Sequence, residues 1–414
     1  MPVPDAYRPP SIRLINALGA AARGMGRPLP SLAPENMKRA AMKKTGLSDF
    51  GGEAFWEGCR VLVDSLERDP GLTTIGRLGA RETIVGYLVN RLQIEQHRQQ
   101  HPEIARAPVE RPVFIVGMPR TGTTLLFNLL WQDPVNRAPM TWEVHIPHPP
   151  PQRETFETDP RIAEVEKQFA NFERLVPWLP AIHEFGARLP QECVPLCAHE
   201  FLSVQWTSTF DVPEYQAWLD GQDVRPAYKY HKRFLQHLQS EHAGQRWVLK
   251  SPEHLPNIDT LLEVYPDARI IHTHRDPARV MPSLASLTHA LRSLNTDTLN
   301  PARIGRQTID LWSRNLERAV AARRKHADKP AQFFDAPFEE TLKDPVDLLR
   351  RAYAHFEMEL SEDAESRMRV FLAAKPRGSR GKHRYVRQDF ELSLEEIRER
   401  FADYCDAFDV PLVD

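Results

Sequence analysis

Apolar residues between positions 36 and 100 recur at intervals of three and four, which is the spacing of one face of a helix. The residues that form the first such face are Phe55, Cys59, Leu62, Val63 and Leu66. Those of a second face are Ile84, Tyr87, Leu88 and Leu92. The first 35 residues are rich in proline and weakly patterned, so they predict an arm that lies over the surface. We therefore predict an N-terminal arm and a helical region over residues 1–110.

Beyond residue 110 the pattern changes to short apolar runs, which are typical of buried parallel strands. These runs cover residues 113–116, 247–249, 268–271 and 332–334. The first three lead into a loop and then a helix, and this alternation predicts an α/β domain, a parallel sheet covered by helices, over residues 111–414. Residues 134–245 interrupt the alternation with a proline-punctuated, mostly helical stretch in which we predict no strand. We interpret that stretch as a large helical insertion.

A capping signal marks the start of a predicted helix near residue 394. Ser393 is followed three residues later by Glu396, which is the spacing of a capping box. The apolar residues that follow on one helical face are Ile397, Phe401, Tyr404 and Phe408. The segment therefore predicts an amphipathic helix.

Composition sets limits on the class of protein. The formal net charge of −2 gives no support to nucleic-acid binding or to docking on an acidic membrane surface. Cys193 and Cys197 stand at helical spacing with no partner pair at zinc-finger spacing, so we interpret them as buried free thiols. The chain has no apolar run long enough for a transmembrane helix and no signal-peptide pattern, so we expect a cytoplasmic location.

The most specific segment is 117–124 (GMPRTGTT), between the first predicted strand and a leucine-rich helix. Two glycines five positions apart, followed by two hydroxyl residues, are typical of a phosphate-binding loop. The N–H groups of such a loop converge on an anion at the start of the next helix. The lysine that nucleotide triphosphatases carry after the second glycine is Thr123 here, and a cation stands inside the loop as Arg120. The sheet is therefore predicted to be of the P-loop type.

A second basic segment covers residues 272–283 (HTHRDPARVMPS), where a triphosphatase would carry a magnesium-holding acid. Arg275 offers a fork of N–H donors at a strand end, and Ser283 offers a hydroxyl on the following helix. Together these two residues can hold a phosphate. We expect His272 and His274 to point in different directions along the strand, and so not to form a metal site.

The loop motif PRTGTT (119–124) resembles the 5′-phosphosulfate loop of sulfotransferases that use 3′-phosphoadenosine 5′-phosphosulfate (PAPS), in the PRSGTT form of the tyrosylprotein and bacterial branches. The pair Arg275 and Ser283 is similar to the 3′-phosphate motif of that family, an arginine with a serine eight residues later. The N-terminal helices are typical of the bacterial branch.

Two further segments resemble the same family. Residues 247–254 (WVLKSPEH) are similar to its strand ending in Lys-x-Pro, whose lysine, Lys250 here, faces the transferring group. Residues 338–345 (FEETLKDP) are similar to its segment whose tyrosine lies on the adenine, and Phe338 stands in place of that tyrosine. The family also closes its nucleotide site with a basic C-terminal loop, which residues 377–385 resemble without the usual residue order.

The resemblance implies metal-independent, in-line transfer of a sulfuryl group from PAPS to a hydroxyl of a small molecule, lipid or carbohydrate. The insertion 134–245 would shape the acceptor site. The residues implied to hold the nucleotide are Pro119, Arg120, Thr121, Gly122, Thr123, Thr124, Arg275, Ser283 and Phe338, with Arg380 and Lys382 as alternatives for a further contact with the 3′-phosphate.

The general base is open between two residues of segment 140–147 (MTWEVHIP). Glu143 stands where the tyrosylprotein branch places its catalytic glutamate, whereas the cytosolic branch uses a histidine, which makes His145 the rival. The candidate catalytic residues are therefore Glu143, His145, Arg120 and Lys250. Three polar residues of the insertion are candidates for lining the acceptor pocket, namely His183, Glu184 and Glu192.

Two other classes of protein fit parts of the sequence. A P-loop kinase or ATPase with a degenerate loop would require Mg²⁺ and bind ATP, and the absent loop lysine argues against it. A non-catalytic nucleotide-binding protein would bind the bisphosphate product without turnover. The sequence leaves the acceptor and the oligomeric state open, a homo-oligomer included.

Overall fold

The computed structural model describes residues 8–175, 186–374 and 386–413. The strands are β1 (Val113–Val116), β2 (Asn136–Arg137), β3 (Arg246–Lys250), β4 (Arg269–His274) and β5 (Phe333–Pro337). The α-helices are α1 (Pro10–Gly24), α2 (Pro34–Thr45), α3 (Phe55–Arg68), α4 (Thr74–Gln100), α5 (Thr123–Leu130), α6 (Thr141–His145), α7 (Pro160–Leu175), α8 (Val194–Ala198), α9 (Gln205–Thr209), α10 (Pro213–Asp220), α11 (Arg225–Gln239), α12 (Ile258–Val264), α13 (Pro277–Arg292), α14 (Pro301–Lys325), α15 (Phe338–Lys343), α16 (Pro345–His355), α17 (Glu362–Ala374), α18 (Leu394–Arg400) and α19 (Ala402–Ala407).

The sheet is parallel throughout, with strand order β2–β3–β1–β4–β5, which confirms the predicted α/β class. The register places Ile115 of β1 between Lys250 of β3 and Ile271 of β4. The carboxyl ends of the three central strands therefore meet at one edge of the sheet. Loops at such an edge are where α/β proteins of this kind bind ligands.

Both faces of the sheet are covered, as continuous apolar strands predict. Alternate strand residues point to opposite faces and join two separate hydrophobic clusters. One cluster receives Phe114, Val116, Leu249 and Ile270. The other receives Val113, Ile115, Val248 and Ile271. The sheet is therefore packed on both faces, and the loops at its carboxyl edge extend from a buried core.

The first 35 residues are not only an arm. Residues 10–24 form α1, a helix that the weak pattern did not predict, and most of its residues are exposed, so the segment lies over the surface. Leucine, alanine and arginine, which favour helices, dominate the segment, and Pro10 occupies its first turn. The Asn16 side chain accepts a hydrogen bond from the Ile75 N–H at 3.1 Å, which fixes α1 on α4. The helices predicted near residues 55–66 and 84–92 are confirmed as α3 and α4.

The N-terminal helices share one hydrophobic cluster with helices of the insertion. Buried Arg91 of α4 joins the two, since its guanidinium donates to the Glu200 carboxylate at 2.6 Å and to the Phe50 carbonyl at 3.2 Å. It also lies 4.4 Å from the centre of the Tyr230 ring on α11. A boundary at residue 110 stays a prediction, because the packing continues across it.

The insertion contains a strand that the sequence did not reveal. Asn136 and Arg137 pair with Arg246 and Trp247 at the edge of the sheet, as β2. The prediction of no strand in residues 134–245 is therefore wrong at this point. Two polar residues give no apolar run, and an edge strand needs none, because it is paired on one side only.

The C-terminal helices anchor the start of α13. The capping signal is confirmed, because the Ser393 side chain accepts from the Glu396 N–H, although the predicted single helix is divided into α18 and α19. Buried Asp276 caps α13 by accepting from the Ala278 N–H at 2.9 Å. Its carboxylate also pairs with Arg398 of α18 at 2.6 Å. Within the described residues, the structure has no helix that is both long and apolar enough to cross a membrane.

Candidate active site

Unusual backbone angles shape the loop between β1 and α5. Gly117 and Gly122 have φ angles of 148° and 93°, and Arg120 has 72°. A Cβ on Gly117 would clash with the Thr273 hydroxyl, and one on Gly122 would lie 3.0 Å from the Thr341 side chain. Glycine is therefore required at both positions. A left-handed Arg120 stores strain in the loop, which is typical of ligand-binding segments.

The hydroxyl residues of the loop have different surroundings. Thr121 is fully buried, and its hydroxyl lies 2.6 Å from both the Met118 carbonyl and the Thr273 hydroxyl. The backbone N–H is then the group that Thr121 can offer to an anion. The side chains of Arg120 and Thr124 are exposed, at the start of α5, where helix N–H groups also favour an anion.

Arg275 connects three predicted nucleotide-binding elements. Its guanidinium donates to the Arg120 carbonyl at 2.6 Å and lies 3.8 Å from the centre of the Phe338 ring. Ser283 is buried on α13, which begins two residues after Arg275. The structure thus brings together the phosphate loop, the end of β4 and the start of α15, as the sequence predicts.

Lys250 ends β3 next to the loop. Its ammonium group lies 3.4 Å from the Thr124 hydroxyl, and it forms an ion pair with Glu192. The lysine side chain is 5% exposed and that of Glu192 is 21% exposed, so Glu192 is the more accessible member of the pair. A cation, a hydroxyl and a carboxylate therefore meet at the edge of the sheet.

Glu143 has both carboxylate oxygens engaged inside the protein. One accepts from the Arg137 guanidinium at 2.8 Å, and the other accepts from the Met140 N–H at 2.8 Å. The side chain is completely buried, and burial raises the pKa of the carboxyl, which the guanidinium of Arg137 partly offsets. This arrangement favours a structural role and argues against the predicted role of general base.

Segments 139–142 and 187–193 lie side by side. The Thr141 N–H donates to the Leu189 carbonyl at 2.9 Å, and the Gln191 N–H donates to the Pro139 carbonyl at 2.7 Å. The Cys193 N–H donates to the Lys250 carbonyl at 2.9 Å. Sequence reasoning named Glu192 only as a pocket candidate. No motif spacing joins it to Lys250, because backbone pairing between distant segments brings it there.

A profile of the sulfotransferase family matches residues 112–362, which is more than half of the 414 residues. The matched region contains the loop, Lys250, Arg275 and Phe338. The chain belongs to the sulfotransferase family.

Relatives of this sulfotransferase-family chain occur in mycobacteria. It is 30% identical over 277 residues to omega-hydroxy-beta-dihydromenaquinone-9 sulfotransferase Stf3 of Mycobacterium bovis and of Mycobacterium tuberculosis. The match covers 63% of this chain and 66% of the length of each relative. The crystal structure of sulfotransferase STF9 from Mycobacterium avium has a TM-score of 0.86 at 34% identity, over 93% of this chain and 98% of STF9. That of STF1 from M. tuberculosis has a TM-score of 0.80 at 34% identity, over 89% and 98%.

His145, the rival base of this sulfotransferase-family chain, lies on the surface. Its ring packs edge-on against Phe169 at 5.5 Å between centres, and its carbonyl accepts from Asn90 at 3.4 Å. Four other residues that the sequence predicts for the site lie outside the described residues, namely Arg380, Lys382, His183 and Glu184.

Two groups of described side chains could hold a metal ion by distance alone. Their members are Cys193, His231 and His254 in one group and His272, His274 and Asp335 in the other. The expectation that His272 and His274 diverge is wrong. Their rings lie 4.1 Å apart, because residues two apart on a strand share a face. Asp335 forms an ion pair with Arg323 at 2.7 Å.

The cysteines at positions 193 and 197 are buried free thiols, as the sequence predicts.

Proposed function

We propose that this protein transfers a sulfuryl group from PAPS to an acceptor hydroxyl. The observation that carries the proposal is the meeting of Lys250 with Thr124 and the phosphate loop at one edge of the parallel sheet. A cation and a helix start at that place can hold an anionic group and stabilise charge that develops on a bridging oxygen. Membership of the sulfotransferase family supports this reaction class.

The surroundings of Arg275 support a nucleotide with a 3′-phosphate. The guanidinium lies against the Phe338 ring and beside the loop, so a cation and an aromatic face are adjacent. A phosphate on the ribose could accept charge-assisted hydrogen bonds from this guanidinium, and the ring offers a surface for the adenine. The described residues therefore fit both ends of PAPS.

Transfer of a sulfuryl group needs less positive charge than transfer of a phosphoryl group. A sulfuryl group carries one negative charge, and a terminal phosphoryl group carries nearly two, which is why kinases use Mg²⁺. Lys250, Arg120 and the N–H groups at the start of α5 can supply the charge here. We therefore propose a reaction that needs no metal ion.

The relatives named after a menaquinone derivative suggest the class of acceptor. The name of Stf3 describes an omega-hydroxy group on a lipid. We propose by analogy an aliphatic hydroxyl on a lipid or another small molecule, with carbohydrates as the second class to test. The cytoplasmic location expected from the sequence stays a prediction.

Mass spectrometry of reaction mixtures tests this proposal. The purified protein is incubated with PAPS and a panel of isoprenoid alcohols, simple alcohols, phenols and glycolipids, with and without excess chelator. We expect an acceptor that gains one SO₃ group equally in both conditions. Phosphorylation by ATP that chelator abolishes would support a kinase instead. Tight binding of adenosine 3′,5′-bisphosphate with no product from any acceptor would support a non-catalytic protein.

A further inference from the structure

Glu192 lies beside Lys250, on a segment that sequence reasoning left without a mechanistic role. Its oxygen contacts the Lys250 ammonium, and the same ammonium group lies 3.4 Å from the Thr124 hydroxyl. The lysine is thus shared between the loop and the carboxylate. A base for sulfuryl transfer must stand on the acceptor side of the group that the lysine stabilises, within reach of the attacking hydroxyl.

We propose that Glu192 is the general base of the transfer reaction, a role that rests on the proposed function. In the ground state its carboxylate pairs with Lys250. When the phosphosulfate occupies the loop, Lys250 turns to the bridging oxygen and Glu192 is released towards the acceptor. The acceptor oxygen then forms a bond to sulfur while the bond from sulfur to the bridging oxygen breaks. The acceptor proton passes to Glu192, and the electron pair of the broken bond leaves with the bisphosphate, beside Lys250.

Accessibility distinguishes Glu192 from Glu143. The Glu192 side chain keeps 21% of its surface exposed, whereas that of Glu143 has none. Both oxygens of Glu143 accept hydrogen bonds from Arg137 and Met140, so an incoming hydroxyl would have to displace a buried ion pair. Displacement of such a pair leaves a buried charge without its partner, which is strongly unfavourable. The pair of Glu192 with Lys250 lies nearer the solvent, so an incoming hydroxyl meets a smaller barrier there.

The same geometry gives Glu143 a positioning role. By accepting from the Met140 N–H, Glu143 fixes the start of α6 and the segment 139–142. That segment is paired with residues 187–191, directly before Glu192. On the other side, the Cys193 N–H is bound to the Lys250 carbonyl. The backbone on both sides of Glu192 is therefore held in place.

The variant Glu192→Gln tests the role, with Glu317→Gln on the exposed face of α14 as the matched control. We expect Glu192→Gln to lower kcat on an aliphatic alcohol by about 10²–10⁴-fold, the usual effect of losing a positioned base. Its affinity for adenosine 3′,5′-bisphosphate should stay close to wild type, and its melting temperature should fall, because Lys250 loses its counter-ion. The deficit should shrink on an acidic phenol, which loses its proton more easily. Glu317→Gln should change none of these quantities.

The pH profile separates a base from a merely structural carboxylate. Wild-type kcat should fall on the acid side as a carboxylate is protonated, and Glu192→Gln should lose that limb, whereas Glu192→Asp should keep it at reduced kcat. If wild type is active and Glu192→Gln keeps kcat within about fivefold on the aliphatic alcohol, the role of Glu192 is disproved and the proposed function stands. If wild type transfers no sulfuryl group to any acceptor, the proposed function fails and this role fails with it.

Discussion

Single side chains in this site divide into those that face the reaction and those that hold them. Under the proposed function, Lys250, Thr124 and Arg120 would belong to the first kind, because they lie at the loop and the edge of the sheet. Thr121 and Glu143 belong to the second, because their polar atoms are satisfied inside the protein. Sequence motifs do not distinguish the two kinds, since a threonine in a loop and a glutamate after it fit either role.

The Arg137–Glu143 pair gives a residue-scale prediction about stability. Glu143→Gln should lower the free energy of unfolding by about 3–5 kcal/mol, because Arg137 stays charged and buried without its counter-ion. Chemical denaturation at neutral pH measures this loss. The double variant Arg137→Met/Glu143→Gln should recover part of it. A Glu143→Gln protein with wild-type stability but very low turnover would instead support the earlier base prediction.

Arg275 gives the second residue-scale prediction. Arg275→Ala should weaken binding of adenosine 3′,5′-bisphosphate by about 2–4 kcal/mol, because a charge-assisted contact to the 3′-phosphate is lost. Binding of adenosine 5′-monophosphate, which has no 3′-phosphate, should change much less. Calorimetry with both nucleotides measures the difference. Equal losses of affinity for the two nucleotides would show that Arg275 does not bind the 3′-phosphate.

Secondary-structure elements with a regular apolar pattern could be predicted from the sequence. Elements that form only because they pair with a distant segment could not. The runs at 113–116 and 247–249 gave two central strands, and the loop motif between β1 and α5 stands where its spacing placed it. The two-residue edge strand β2 was missed, because pairing with β3 rather than residue type creates it. Glu192 was missed as a partner of Lys250 for the same reason, since the contact joins two segments 58 residues apart.

The turn after β3 carries an element-scale prediction about pH. Burial raises the pKa of Glu253 from 4.5 to about 8, although a hydrogen bond from Ser203 opposes the shift. The carboxyl is therefore protonated in the folded protein at neutral pH. Its contribution to stability is complete below the unfolded pKa of 4.5 and is lost as pH rises through about 8. Glu253→Gln, which stays neutral, should remove a slope of about 1.4 kcal/mol per pH unit within that window.

Denaturation curves from pH 5 to 9 for wild type and Glu253→Gln measure this effect. The difference between the two proteins is the relevant quantity, because other groups titrate in both. The two curves should diverge steadily as pH rises towards 8 and run parallel above it. Parallel curves over the whole range would show that Glu253 is ionised in the folded protein.

At the scale of the whole molecule, the N-terminal helices and the insertion form one packed body around Arg91. The arginine is 2% exposed and joins α4 to Glu200, to the Phe50 carbonyl and to the Tyr230 ring. A hydrophobic cluster that runs from the first helices into α8–α11 surrounds it. The insertion, which we propose to shape the acceptor site, is therefore packed on helices far along the chain from the loop motif of the sheet.

Arg91→Met tests whether this body unfolds together with the sheet. It should lower the free energy of unfolding by about 3–5 kcal/mol, because Glu200 is left buried without its cation. Arg91→Met/Glu200→Met should regain part of that loss, since neither charge then stays buried. Because the cluster spans the predicted boundary at residue 110, we expect one cooperative transition in calorimetry for all three proteins. A separate low-temperature transition in Arg91→Met, with the main transition unchanged, would show that the N-terminal helices fold as an independent domain.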